Sequence, residues 1–319
     1  MAGESTSYVH EPVMVTEVGA IFRSVPPGVV VDATVGGGGH ARALLEANHQ
    51  LLLVGLDQDD EALAAAATAL EQFGSRVVLR RRRFDRLSAT VKELGYEKVA
   101  GVLFDLGVSS PQLDRAERGF SYRNDAPLDM RMDRSQGRTA ADVVNTYGEA
   151  ELASVLARFG DERYANRIAR AIVAARPVTT TTQLAEVVRG AIPARARRRG
   201  GHPARRTFQA IRIEVNRELE VLPTAIDQAI DLLVPEGRLA VISYHSGEDR
   251  IVKERLRAAA TGGCTCPPGL PCVCRAQPKV RLLWRGAIKP SPLEVARNPR
   301  AESARLRAAE RVSEPGVAA

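Results

Sequence analysis

The stretch that most constrains this chain is Val29-Val-Val-Asp-Ala-Thr-Val-Gly-Gly-Gly-Gly-His40. Its β-branched opening predicts a short buried strand. Four consecutive glycines, Gly36 to Gly39, follow, and Ala41, Leu44 and Leu45 then fall at helical spacing. Glycine loses more backbone freedom on ordering than any other residue, so a run of it at a strand end needs a reason. Two reasons are open. One is a tight strand-to-helix turn that holds no ligand. The other is a bare backbone that a ligand can approach closely, with free helix N–H groups pointing at it. Gly36-x-Gly38-x-x-Ala41 also fits a dinucleotide fingerprint, which is a weak signal alone.

The next strands favour a ligand. Leu51-Leu-Leu-Val-Gly-Leu-Asp57 is apolar and ends in a carboxylate. It lies about 20 residues past the glycines, the spacing at which a second strand sets an acid against a ribose diol. A nucleoside-containing cofactor is therefore expected. Val77 to Arg80 predicts a third strand, with Phe84 beyond it, against a cofactor base or plugging the core. Val99-Ala-Gly-Val-Leu-Phe-Asp105 predicts a fourth, again ending in an acid. In a doubly wound sheet, the carboxyl ends of neighbouring strands form the ligand crevice, so Gly36–Gly39, Asp57 and Asp105 belong to one edge. Arg238 to His245 predicts a fifth strand, followed by a helix from Asp249. At that junction His245 either orients a target base or relays a proton, or it fixes the turn by bonding backbone. The last strands are expected within 280–284 and 304–312.

Between these halves the strand signals stop. Ala140–Tyr147, Glu149–Phe159, Arg163–Ala175 and Thr182–Ala191 read as helices, and 207–233 as further helix. Met130 and Met132 read as core filler. Arg195 to Arg206 carries six arginines around two glycines. Contact with phosphate is preferred there over a solvated loop. The run Arg80 to Arg83 reads as a solvated face or a second phosphate contact. A net charge of +7 over 319 residues points the same way, toward a polyanionic partner. Aromatic residues are only 4%, which disfavours a stacking-platform single-strand binder and favours an enzyme with a basic groove. No apolar run approaches the ~20 residues that span a membrane, and no charged-then-apolar signal segment opens the chain. A cytoplasmic protein is expected.

Longer motifs carry a resemblance. Asp32-Ala-Thr-Val-Gly-Gly-Gly-Gly-His40, Asp105-Leu-Gly-Val-Ser-Ser-Pro-Gln-Leu-Asp114, Glu117-Arg-Gly-Phe-Ser-Tyr122 and Pro127-Leu-Asp-Met-Arg-Met-Asp133 stand in the first half. His202 to Asn216, Ser243 to Lys253 and Asn298 to Arg307 stand in the second. Together they resemble the RsmH (MraW) family, S-adenosylmethionine-dependent enzymes that methylate N4 of a cytidine in bacterial small-subunit ribosomal RNA. The resemblance covers nearly the whole chain. It implies an α/β fold, a Rossmann-like class I methyltransferase with a doubly wound, mostly parallel sheet. Residues 1–115 and 216–319 would form that core, and 116–215 an inserted helical domain on the RNA side. The partner implied is small-subunit ribosomal RNA or the assembled subunit. A homodimer is left open.

The resemblance also implies roles for residues. Gly38, Gly39 and His40 would lie against the methionine portion of the cofactor, and Asp57 would hold its ribose. Phe84 and Asp105 would border the adenine, and Gln112 would close the pocket. Many amino-methyltransferases carry Asp/Asn-Pro-Pro-aromatic after the fourth strand, whereas this chain has Asp105-Leu-Gly-Val. The group facing the target nitrogen therefore stays open among Asp105, Ser109 and Ser110, with His245 a further catalytic candidate. Two rival readings remain: a nicotinamide-dependent oxidoreductase, and an RNA-binding ribosome factor with a dead methyltransferase fold.

All four cysteines sit in one stretch, Cys264-Thr-Cys266-Pro-Pro-Gly-Leu-Pro-Cys272-Val-Cys274. Two Cys-x-Cys pairs can offer four thiolates, and zinc suits such a set. Usual zinc pairs are spaced wider, so free thiols are the competing reading. A metal here would be structural.

Overall fold

The computed structural model describes residues 12–135, 137–197, 201–266 and 273–313, with Ser110 and Pro111 described by backbone alone. The chain divides into two compact units, 1–107 with 221–319, and 108–220.

The first unit is built on a seven-stranded sheet of order β3-β2-β1-β4-β5-β7-β6. The strands are β1 Gly28–Asp32, β2 Leu51–Asp57, β3 Val77–Arg81, β4 Val99–Asp105, β5 Leu233–Ser243, β6 Val280–Leu282 and β7 Arg305–Arg311. β1 to β5 pair in parallel, and β7 runs antiparallel between β5 and β6. Parallel strands are covered on both faces and so read as unbroken apolar runs. Alternation along β1 and β4 sends Val29, Val31, Val102 and Phe104 into one core and Val30 and Leu103 into the other. This is the Rossmann-like, doubly wound arrangement. Connections reverse direction between β1 and β4, so the crevice opens at their carboxyl ends.

Two expectations shift. β5 begins at Leu233, because the Pro235–Gly237 turn, with Glu236 at φ 65°, is absorbed as an irregularity in its pairing with β4. It ends at Ser243, and the following helix starts at Ser246, three residues before Asp249. The helix expected over 207–233 is two helices, Arg205–Asn216 and Glu218–Leu232. Arg217 takes the left-handed conformation at φ 54° and ends the first.

The second unit is helical. Its helices include Ala140–Thr146, Glu149–Gly160, Ala165–Ala174, Thr181–Ala191 and Arg205–Asn216. Thr139 and Thr180 cap two of them through capping boxes, each worth about 1 kcal/mol. Leu152, Leu156, Ile168, Leu184 and Ile211 form the core, and Met130 and Met132 are buried within it. Asn216 Nδ2 donates to the Met130 carbonyl at 2.8 Å, and its Oδ1 accepts from Met132 N at 2.8 Å. The segment 108–115 falls in this unit, where Val108 and Leu113 pack on its core. No described helix is long and apolar enough to cross a membrane.

Candidate active site

The glycine loop turns from β1 into the helix Gly39–Ala47. Gly36 and Gly38 stand at φ 51° and 83°, where a side chain is strained. A Cβ on Gly39 would meet Pro12 Cγ at 2.6 Å, so packing also demands glycine there. At Gly37 a Cβ would meet none of the described residues within 4 Å. One face of the loop is therefore bare backbone facing open space. No side chain caps the helix that follows, so its first N–H groups lack a side-chain acceptor.

Asp57, at the tip of β2, shapes this loop. Its Oδ2 accepts from Gly36 N at 3.0 Å and its Oδ1 from Asp59 N at 2.9 Å. Each oxygen keeps a second lone pair for a ligand hydroxyl. Burial pushes its carboxyl up to about 6, against those two backbone bonds, which pull it down.

Asp32, the last residue of β1, is buried and accepts from Thr34 N at 3.2 Å. Burial pushes it up to about 7, while His40 draws it down and Asp105 and Asp57 push it further up. Thr34 Oγ1 in turn accepts from Asp105 N at 2.7 Å, tying the tips of β1 and β4.

Asp105 lies between two partners. Tyr244 donates its hydroxyl to Oδ1 at 2.7 Å, and His40 Nδ1 stands 3.5 Å from Oδ2. Burial raises the Asp105 carboxyl, and His40 and Tyr244 oppose that rise. Tyr244 is held well above its usual value by burial and by Asp105, so it stays a donor. The other ring nitrogen, His40 Nε2, lies 2.9 Å from the Val13 carbonyl, which can only accept. Nε2 therefore carries a proton. Nδ1 is then the ring nitrogen left to face Asp105.

His245 is the N-cap of the helix Ser246–Thr261. Its Nδ1 accepts from Glu248 N at 3.4 Å, and Glu248 Oε2 accepts from Tyr244 N at 2.8 Å. His245 thus caps this helix, and Glu248 holds the Tyr244 backbone next to it. Phe84 is partly buried against one core and meets Phe104 edge to face, with centroids 5.8 Å apart.

Ser109, Ser110 and Gln112 belong to the helical unit. Gln112 is buried, and its Oε1 accepts from Ser109 N at 3.0 Å. Ser109 Oγ is buried with no hydrogen-bond partner among the described residues. Ser110 opens the short helix Ser110–Asp114. Arg81, Arg82 and Arg83 face Asp60, Glu93 and Asp85 at 3.1, 3.7 and 2.8 Å, which makes that run an ion-paired surface. Arg195, Arg197 and Arg205 differ: they make no ion pair among the described residues. Arg198 and Arg199 lie outside the described residues.

Sequence comparison decides the family. The sequence profile of the MraW methylase family matches residues 7–312. The chain belongs to the MraW methylase family. Among its relatives, "Ribosomal RNA small subunit methyltransferase H" of Thermobifida fusca is 53% identical over 98% of this chain and 96% of its own length. The protein of the same name from Acidothermus cellulolyticus is 54% identical over 98% and 96%. That of Heliobacterium mobile is 50% identical over 95% and 99%. Within this MraW chain, Asp32, Thr34, Tyr244 and Glu248 were not legible as site residues. Asp32 reads as a strand residue, and Tyr244 reaches Asp105 only through pairing of β4 with β5.

S-adenosylmethionine fits the residues present. The bare face at Gly37 admits a ligand that a side chain would exclude. The uncapped helix N-terminus suits a carboxylate, and the acids of the crevice suit a cation.

Proposed function

We propose that this chain transfers a methyl group from S-adenosylmethionine to N4 of a cytidine in small-subunit ribosomal RNA. The observation that carries the proposal is the grouping of three buried or half-buried acids, Asp32, Asp57 and Asp105, beside an open glycine backbone. Their negative charge favours a positively charged donor, and that attraction weakens toward the neutral product that remains after transfer. The relatives' printed names supply the substrate class.

In this reading Gly38, Gly39 and His40 lie along the methionine portion, and Asp57 takes the ribose hydroxyls. Phe84 and Asp105 border the adenine. The bound cofactor supplies an electrophilic methyl carbon, so the protein's work is alignment and exclusion of water. The amino nitrogen of cytosine delocalises its lone pair into the ring. An acceptor that holds an amino hydrogen localises that pair, and Asp105 is one such acceptor. Its raised pKa makes Asp105 a better proton acceptor than an ordinary aspartate. His40 and Tyr244 position it, and Glu248 holds the Tyr244 backbone.

The helical unit supplies the RNA side. His202 stacks on Tyr122 with centroids 4.2 Å apart and planes 9° from parallel, and His202 is exposed. An unpaired base extends such a stack, with Arg195, Arg197 and Arg205 available to phosphates. The target cytidine leaves its own stack to reach the acids. Any metal held by Cys264, Cys266 and Cys274 has no part in the transfer.

Calorimetry with S-adenosylhomocysteine and with NAD, side by side, tests the cofactor. Heat with the first alone supports the proposal; heat with NAD alone returns the chain to the oxidoreductases.

A further inference from the structure

The cysteine stretch takes no part in the reading above. It lies in the connection between the helix Ser246–Thr261 and β6. That connection turns back on the helix end. Gly262, at φ 60°, ends the helix, and a Cβ there would meet the Gln277 backbone at 2.4 Å. Lys279 N donates to the Ala259 carbonyl at 2.8 Å. The returning chain thus brings Cys274 back to Cys264 and Cys266. The three Sγ atoms lie within 4.8 Å of one another, with Cys264 and Cys266 half-buried and Cys274 exposed.

We propose that Cys264, Cys266 and Cys274 bind one zinc ion that clips this connection shut. Sulfurs about 2.3 Å from a tetrahedral zinc stand about 3.8 Å apart, within a side-chain adjustment of the spacing observed. Thiol ligands give up their protons as a metal binds. Thiolate donors select zinc or an iron–sulfur cluster over harder cations. No histidine or carboxylate joins the group among the described residues. Without a proton-transfer group the ion does structural work, closing a connection whose loop entropy otherwise opposes β6. Cys272 lies outside the described residues, and the site is assigned without it.

The test uses the full-length protein, made in zinc-replete medium and purified under reducing conditions without chelator. Elemental analysis is expected to find close to one zinc per chain. Exchange for Co²⁺ is expected to give thiolate-to-cobalt charge-transfer absorption. In Cys264→Ser/Cys266→Ser both signals are lost, and melting moves down by several degrees. Binding of S-adenosylhomocysteine stays near wild type in that variant, which shows the core intact. If the variant fails to fold, the wild-type metal content and cobalt spectrum still decide. Zinc at background in the wild type, iron with sulfide in its place, or a disulfide within the cluster would each overturn the proposal. None of these results depends on methyl transfer, so failure of that reading is separately visible.

Discussion

Asp32 is predicted to make the folded protein less stable as pH rises. Its folded value, about 7, lies above its unfolded value, 3.8. Below both values the carboxyl is protonated in either state and contributes nothing. As pH rises through 3.8 the unfolded chain ionises first, so folding loses ground until the folded group also ionises near 7. The shift of about three units, at about 1.4 kcal/mol each, costs on the order of 4 kcal/mol at pH 8. Roughly 3 kcal/mol of that falls between pH 5 and 8. Asp32→Asn keeps an oxygen for Thr34 N and removes the charge. Urea unfolding followed by Trp284, the only tryptophan and a residue of the sheet unit, reads the effect locally. The variant is expected to be a few kcal/mol more stable than wild type at pH 8 and much closer to it at pH 5. Its affinity for the cationic donor is expected to fall. An unchanged pH dependence, or a variant less stable at pH 8, would refute the reasoning.

Other outcomes follow from neighbouring contacts. Asp57→Ala strips the acceptor from Gly36 N and Asp59 N, bonds worth about 1.5–3 kcal/mol each to a charged group. Calorimetry should show S-adenosylhomocysteine affinity falling on the order of 100-fold with RNA affinity little changed; equal losses would contradict the division between the units. Gly39→Ala drives a methyl into Pro12 Cγ and is expected to cost about 1–3 kcal/mol, read as a lower melting temperature. Tyr244→Phe removes the donor that holds the Asp105 carboxyl down, so the acid limb of the rate profile should move to higher pH. His202→Ala should weaken RNA binding roughly tenfold, at about 1–3 kcal/mol per stacked base, and His202→Phe should restore it.

What the sequence disclosed follows its periodicities. β1, β2 and β4 are buried on both faces, so each is an unbroken apolar run whose end is marked by an acid. The glycine loop announced itself because side chains are excluded there by φ and by Pro12. The threonine caps at Thr139 and Thr180 follow from local chemistry. Other features depend on pairing distant in sequence. The approach of His40 to Asp105 needs the Val13 carbonyl, which holds the other ring nitrogen. Tyr244 needs the β4–β5 register, and the break at Arg217 gives no signal in a stretch of good helix formers. The arginines at 80–83 and 195–206 look alike as text. Only the fold shows that the first run faces acids.

The central claim is methyl transfer to a ribosomal cytidine. Purified protein incubated with labelled S-adenosylmethionine and small subunits from cells lacking the gene tests it most directly, by mass analysis of the released nucleosides. The account predicts labelled N4-methylcytidine, lost with Asp57→Ala. Label on another nucleoside, or none in the presence of bound cofactor, would contradict it.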